Sequence, residues 1–282
     1  MRTGKSNTIG LILPDLGNPF FPELARAVER SARAAGYGVL LLDTDNDLAI
    51  EKNGVDQLIQ HGIDGIIWCP TTTDEDKAPH FGNTPVVVVD RVYDAFDSVS
   101  SDYWMSGRLI ARHLQAAGYS KIGLISGPPD IASAKQRSQG LKDNLAAGTM
   151  IVWEEFAPFA PPLPNAVRDR IGKGGPDVIV CANDLVAIEV QNLIKRQRSK
   201  PAQDLAQDLA VVGFDDISFA AIVTPSLTTI RQPLSELGTE AFDLLIRRIS
   251  QPDSSKRKVV IDVELVIRES TSTSSNDVNI TG

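Results

Sequence analysis

The residues able to do chemistry recur at comparable places in this sequence. Asp15, Asp90 with Arg91, Asp102, Asn183 with Asp184, and Asp215 with Asp216 each close an apolar run or begin the segment that follows one. Carboxylates, a carboxamide and a guanidinium supply acceptors and donors for a polar ligand. For any one position a helix cap or a turn is the favoured explanation, since Asp and Asn are preferred there. As a set they point to a polar cleft, because the carboxyl ends of several strands would converge on it. Phe20 and Phe21 open a helix beside the same edge and are either binding surface or staples into the core.

Signatures of catalysis are missing. Gly4-Lys5-Ser6 has the ending of a phosphate-binding loop, yet no glycine precedes it at the required distance and it lies before a strand. No GxGxxG follows the first strand and no G-x-S-x-G elbow occurs. His61, His80 and His113 lack metal-ligand spacing. The acidic cluster at 43–47 would need Gly at 48 and Glu at 54 to hold calcium, and the chain has Leu48 and Gly54. The expectation is a protein that is not an enzyme, with no catalytic residue, no metal and no cofactor.

The elements that would carry these residues alternate. A strand from Ile9, a loop from Pro14 to Pro19 with Asn18 as a cap, and a helix along Leu24, Ala27, Val28, Ala32 and Ala35 form the first unit of the pattern. Strands are predicted at 38–42, 65–70, 85–90, 98–102, 121–127, 150–156, 177–182, 209–214, 227–231 and 259–267. Helices are predicted around Val55 and Leu58 and at 103–117, 134–147, 165–171, 185–196 and 234–249. Two successive βα series imply an α/β protein with two Rossmann-like lobes built on parallel sheets. The run at 158–164 is too proline-rich for helix or strand and predicts a rigid loop. A short repeat at 202–209 reads as a surface connection, and the Ser/Thr-rich tail at 272–282 is expected to be disordered.

Bulk properties narrow the partners. The 282 residues allow two domains; hydrophobic content is 42%, charged content 23% and mean hydropathy -0.07. A net charge of -8 and a pI of about 5.0 argue against the chain holding DNA by its own surface. No apolar run has the length of a membrane span and no signal-peptide pattern opens the chain, so a cytoplasmic location is expected. Cys69 and Cys181 end apolar runs and read as buried thiols.

Nine motifs in order carry a resemblance: the opening Arg2-Thr3-Gly4-Lys5-Ser6, Asn18-Pro19-Phe20-Phe21, Asp64-Gly65-Ile66-Ile67, the Asp102 to Gly107 spacing, Arg137-Ser138-Gln139-Gly140, Ala182-Asn183-Asp184, Val212-Gly213-Phe214-Asp215-Asp216, Leu227-Thr228-Thr229-Ile230 and Arg268-Glu269-Ser270-Thr271. Over about 2–271 the chain resembles the effector-binding core of the lactose/galactose repressor (LacI/GalR) family. The resemblance implies a type I periplasmic-binding-protein fold with three crossovers between lobes. It places 1–8 as a hinge remnant, 9–117 with 232–250 in the first lobe, and 118–231 with 258–271 in the second.

The resemblance further implies that Arg137, Asn183 and Asp215 are the main ligand-binding residues, with Arg91 and Asp102 beside them. Asp15, Phe20 and Phe21 would complete the site, and either Trp153 or Phe159 would add a ring. The implied ligand is a small effector, a sugar or, as a second class, a nucleoside, bound in the interlobe cleft. The implied partners are a second copy of the chain in a homodimer and operator DNA, reached only through a helix-turn-helix domain outside this sequence; no membrane is involved. A transport-type sugar-binding protein of the same fold is the alternative.

Overall fold

The computed structural model describes residues 6–173, 175–198 and 209–271. They divide into two compact units. The first runs to Asp102 and takes in Asp130–Ser133 and Pro233–Asp262, while the second holds Tyr103–Pro129, Ala134–Gln232 and the chain from Val263. Residues 1–5 of the expected hinge remnant, most of the repeat at 202–209 and the tail at 272–282 lie outside the described residues.

The first unit is a six-stranded sheet in the order β11-β5-β4-β3-β1-β2. Its strands are β1 (Thr8–Leu13), β2 (Gly38–Asp43), β3 (Gly65–Trp68), β4 (Val86–Val89), β5 (Asp97–Ser101) and β11 (Lys258–Ile261), and every pairing is parallel. The sequences GIIW and VVVV are apolar throughout because both sheet faces are covered. Helices α1 (Phe20–Ala34), α2 (Leu48–Gln60) and α7 (Leu234–Ser250) belong to this unit. Trp68 centres the core, 5.0 Å from the ring of Phe81 and 5.1 Å from that of Tyr93. The acidic cluster at 43–47 starts α2: Asp47 accepts from the amides of Ala49 at 2.6 Å and Ile50 at 3.2 Å.

The second unit has a parallel sheet ordered β7-β6-β8-β9 and a separate antiparallel pair, β10 with β12. The strands are β6 (Lys121–Ser126), β7 (Met150–Phe156), β8 (Val178–Cys181), β9 (Ala210–Val212), β10 (Thr229–Arg231) and β12 (Glu264–Val266). Its helices are α3 (Tyr103–Ala116), α4 (Ala132–Asp143), α5 (Asn165–Gly172) and α6 (Asp184–Arg198). No helix among the described residues is long and apolar enough to cross a membrane.

Two expected boundaries move. The resemblance places helix α3 in the first lobe, but Tyr103, Ile110 and Leu114 pack with Ile122, Leu124 and Val212 in a core of the second unit. The single strand expected at 259–267 is two: β11 extends the first sheet beside β5, and β12 pairs with β10. The apolar alternation is nearly continuous across Asp262, yet the chain changes sheets there. The sheets are otherwise parallel as expected, the β10–β12 pair being the exception.

Candidate functional site

All six strands of the first sheet run parallel, so their carboxyl ends share one edge. Beyond β1, Asp15 Oδ1 accepts from the Gly17 amide at 2.7 Å, which folds the loop as an Asx turn. Asn18 Oδ1 accepts from the Phe20 amide at 3.1 Å and so closes the start of α1. Phe20 and Phe21 are both buried and meet edge to face at 5.0 Å. Their burial is that of staples.

Beyond β4 lies a buried ion pair. Asp90 takes a left-handed backbone with φ 63°, and Arg91 Nη1 donates to its carboxylate, to its carbonyl at 2.9 Å and to Ser133 Oγ at 3.3 Å. Cys69 sits against this pair, and burial pushes its thiol well above the usual range. Asp102 follows β5 and is partly exposed, its amide donating to the Ile261 carbonyl at 2.9 Å.

In the second unit the polar groups gather beyond β6, β8 and β9. Arg137 lies inside α4, and two glycines put it there. A Cβ on Gly107 of α3 would come within 2.3 Å of the Arg137 carbonyl, and one on Gly140 of α4 within 2.0 Å of the Trp104 carbonyl. Only bare backbone lets α3 and α4 approach so closely. The Arg137 guanidinium then lies 3.5 Å from the ring centroid of Phe214, 4.9 Å from that of Tyr103 and 5.9 Å from that of Phe159. Nη1 donates to the Ala182 carbonyl at 3.0 Å, while Nε is buried with no hydrogen-bond partner among the described residues. Stacking on aromatic faces orients the planar fork and leaves its edge for a ligand.

Asn183 caps α6. Its Oδ1 accepts from the Val186 amide at 3.0 Å, and its Nδ2 donates to the Phe159 carbonyl at 2.7 Å. Asp215 sits in the bend after β9 with φ 116°, its Oδ1 accepting from Gln232 Nε2 at 2.7 Å. Fixed donors, a carboxylate acceptor and apolar rings within one unit are what recognition of a polyhydroxylated ring requires. A small cavity of about 20 Å³ lies against Arg137, Phe214 and Ala182. A larger cleft of about 440 Å³ flanks α4, but the Lys142–Glu154 ion pair in its wall is closed on itself, with Glu154 also accepting from Ser126.

Among the expected ring contacts, Phe159 is the one beside Arg137. Trp153 belongs to the core, packed with Ala157, Val167 and Ile171. Sequence reasoning counts Asp90 among the strand-end residues without carrying it into the implied ligand set, and it passes over Tyr103, Phe214 and Gln232. Asp90 and Phe214 are direct neighbours of expected residues, and Gln232 follows β10, so the strand-end rule that selected Asp102 also reaches Gln232. Two of the three histidines make structural contacts: His61 Nδ1 lies 2.7 Å from the Gln57 carbonyl and His113 Nε2 lies 2.8 Å from Thr271 Oγ1. Among the described residues no group of three or more His, Cys, Asp or Glu is arranged to hold a metal ion.

Comparison with known proteins gives the family and the fold. Residues 6–269 match the model for periplasmic binding proteins and the sugar-binding domain of the LacI family. A ribose operon repressor from Halalkalibacterium halodurans is 32% identical over 277 residues, covering 97% of this chain and 82% of that protein. The ribose operon repressor of Escherichia coli is 30% identical, covering 96% of this chain and 84% of its own. A periplasmic binding protein/LacI transcriptional regulator from Alkaliphilus metalliredigens, crystallised with D-xylulofuranose, superposes with a TM-score of 0.80 at 28% identity, over 95% of this chain and all of that one.

Proposed function

We propose, from the premise that the chain belongs to the family of periplasmic binding proteins and LacI-type sugar-binding domains, that it senses a pentose for a transcriptional repressor. The observation that carries this is the Arg137 fork stacked on Phe214, with the Asp215 carboxylate in the next residue. Vicinal hydroxyls accept from a guanidinium and donate to a carboxylate, and charge-assisted bonds of this kind contribute roughly 1.5 to 3 kcal/mol each. Two or three suffice for a micromolar effector. The pentose class is supported by relatives that are ribose operon repressors and by the D-xylulofuranose complex. Asp15, Arg91, Asp102, Arg137, Asn183 and Asp215 form the proposed set, to which Asp90, Phe159 and Gln232 are added, while the buried Phe20 and Phe21 support the loop that carries Asp15.

In this reading the effector alters operator binding by a DNA-binding domain outside these residues, and it shifts that equilibrium only by its affinity difference between the two states. The active species is a cytoplasmic homodimer. Its contact in the first unit is the edge strand β2 with the start of α2, where Leu40, Leu41 and Ile50 are exposed. The repressor relatives favour the regulator reading over the transport reading.

The test is a thermal-shift and calorimetry panel of D-ribose, D-xylulose, D-glucose and adenosine. At about a hundred times its dissociation constant a true ligand adds roughly 2.7 kcal/mol of stability. Binding of a pentose that is lost in Arg137→Ala and Asp215→Ala supports the proposal. Adenosine binding without sugar binding, or unchanged affinity in both variants, overturns it.

A further inference from the structure

Asp184 begins α6 directly after Asn183 and is fully buried. Its carboxylate bonds across to the bend that carries Asp215, while the cap of its own helix is supplied by Asn183. Asp184 Oδ1 accepts from Thr229 Oγ1 at 2.6 Å and Oδ2 accepts from the Ile217 amide at 2.9 Å. Its backbone amide donates to the Phe214 carbonyl at 2.8 Å. The three bonds therefore grip the bend before Asp215, after Asp216, and on the neighbouring strand β10.

That bend needs gripping. Asp215 and Asp216 both hold positive φ, 116° and 55°; aspartate is tolerated at the second value, whereas the first is one that a residue with a side chain occupies only where the surroundings impose it. Room for the Asp184 carboxylate is reserved at Gly213, where a Cβ would come within 2.1 Å of Oδ1. The charged and titratable groups facing Asp184 are Asp215 and Asp216 from the bend and Cys181 from β8. The nearby cations are engaged elsewhere: Arg231 and Arg268 pair with Asp216, and Arg137 donates to the Ala182 carbonyl. Burial, then the Asp215 charge, push the Asp184 carboxyl well above the ordinary range. A carboxyl kept dry, beside like charge, is an unfavourable choice for filling space.

We infer that Asp184 is a positioning residue for the effector site, holding Asp215 at a set place relative to Asn183 and thereby setting affinity for the sugar hydroxyls that Asp215 accepts. This rests on the reading of Asp215 as a ligand contact. Asp184 does not touch the effector; it acts through the bend. In Asp184→Asn the amide oxygen can keep the Ile217 bond while the NH2 group donates to the Thr229 hydroxyl, whereas Asp184→Ala removes both side-chain bonds to the bend.

The experiment titrates D-ribose, or the sugar that binds in the thermal-shift panel, into Asp184→Ala, Thr229→Val and Thr229→Ser, and into Asp184→Ala combined with Asp215→Asn. Asp184→Ala is expected to weaken binding by about tenfold and Thr229→Val by several-fold, whereas Thr229→Ser, which keeps the hydroxyl, stays near the parent. In the Asp215→Asn background Asp184→Ala is expected to change affinity by less than about twofold, while still lowering the melting temperature as it does alone. A merely structural residue would lose the same factor in both backgrounds, and that result overturns the inference. Should Asp184→Ala not fold, the Val and Ser variants at 229 decide: equal affinities overturn it. If Asp215→Asn alone leaves affinity unchanged, or no sugar binds, the reading of the site has failed and the inference with it.

Discussion

The guanidinium carbon of Arg137 lies 3.5 Å from the ring centroid of Phe214, and Phe214 directly precedes Asp215. One buried ring thus orients the fork and anchors the bend that bears the carboxylate. Phe214→Leu keeps most of the apolar volume and removes the aromatic face. Cation–π contacts contribute roughly 0.5 to 2 kcal/mol, so affinity for ribose is expected to fall by about twofold to thirtyfold in calorimetry, without loss of the folded far-UV spectrum.

Gly107 sets where α4 lies. In Gly107→Ala the new Cβ would meet the Arg137 carbonyl and the Leu141 amide, each at 2.3 Å. These are backbone atoms and cannot swing aside, so the helices must separate. Overpacking of this kind costs about 1 to 3 kcal/mol. Urea denaturation should show that loss together with weaker ribose binding; a fully stable, fully binding variant would contradict the account of the α3–α4 approach.

Asp97 is a buried carboxylate that accepts from Arg248 Nε at 2.7 Å and from the Arg257 amide at 2.7 Å, with Arg247 Nη1 at 3.8 Å. It ties β5 to α7 and to the residue before β11. Asp97→Ala leaves two mostly buried guanidinium groups without their counter-ion, a change that typically costs about 3 to 5 kcal/mol. The denaturation midpoint should fall accordingly, and Asp97→Asn should recover part of the loss.

Leu41 is 48% exposed on the edge strand β2. A charge there is expected to leave the subunit folded and to disrupt the proposed dimer. Light scattering of Leu41→Asp should report the mass of one chain where the parent reports two. A dimer in both would place the contact elsewhere.

His113 is half-buried, and desolvation lowers its pKa below the usual 6.5. The unfolded chain therefore binds this proton more readily, so the contribution of His113 to stability declines as pH falls from about 6.5 through the lowered folded value. His113→Gln, which can still meet Thr271, should flatten this part of the stability profile between about pH 5 and 7. A parent profile that is already flat in that window would refute the assignment.

Most elements were legible because their periods are local. The apolar runs of β3 and β4 and the amphipathic pattern of α1 require nothing beyond neighbouring residues. The strand-end rule likewise located Asp15, Asn183 and Asp215. It left each between turn and site, and the structure shows how much turn chemistry they do: Asp15 folds an Asx turn and Asn183 caps α6. Arg137 gave no such signal, since it lies inside a polar helix, and only the family resemblance singled it out.

The sequence by itself determined the alternation of strands and helices, the two-unit plan and the family, because side-chain periodicity and ordered motifs are properties of the linear chain. Only the tertiary structure decided which sheet α3 packs on, that the run at 258–266 serves two sheets, and that Phe159 and not Trp153 stands beside Arg137. It also decided that Asp184 reaches across to the Asp215 bend. Periodicity states that a face is buried and is silent about what covers it. What covers it here depends on clearances between distant segments, such as the space left by Gly107 and Gly213, and these exist only once the chain is folded.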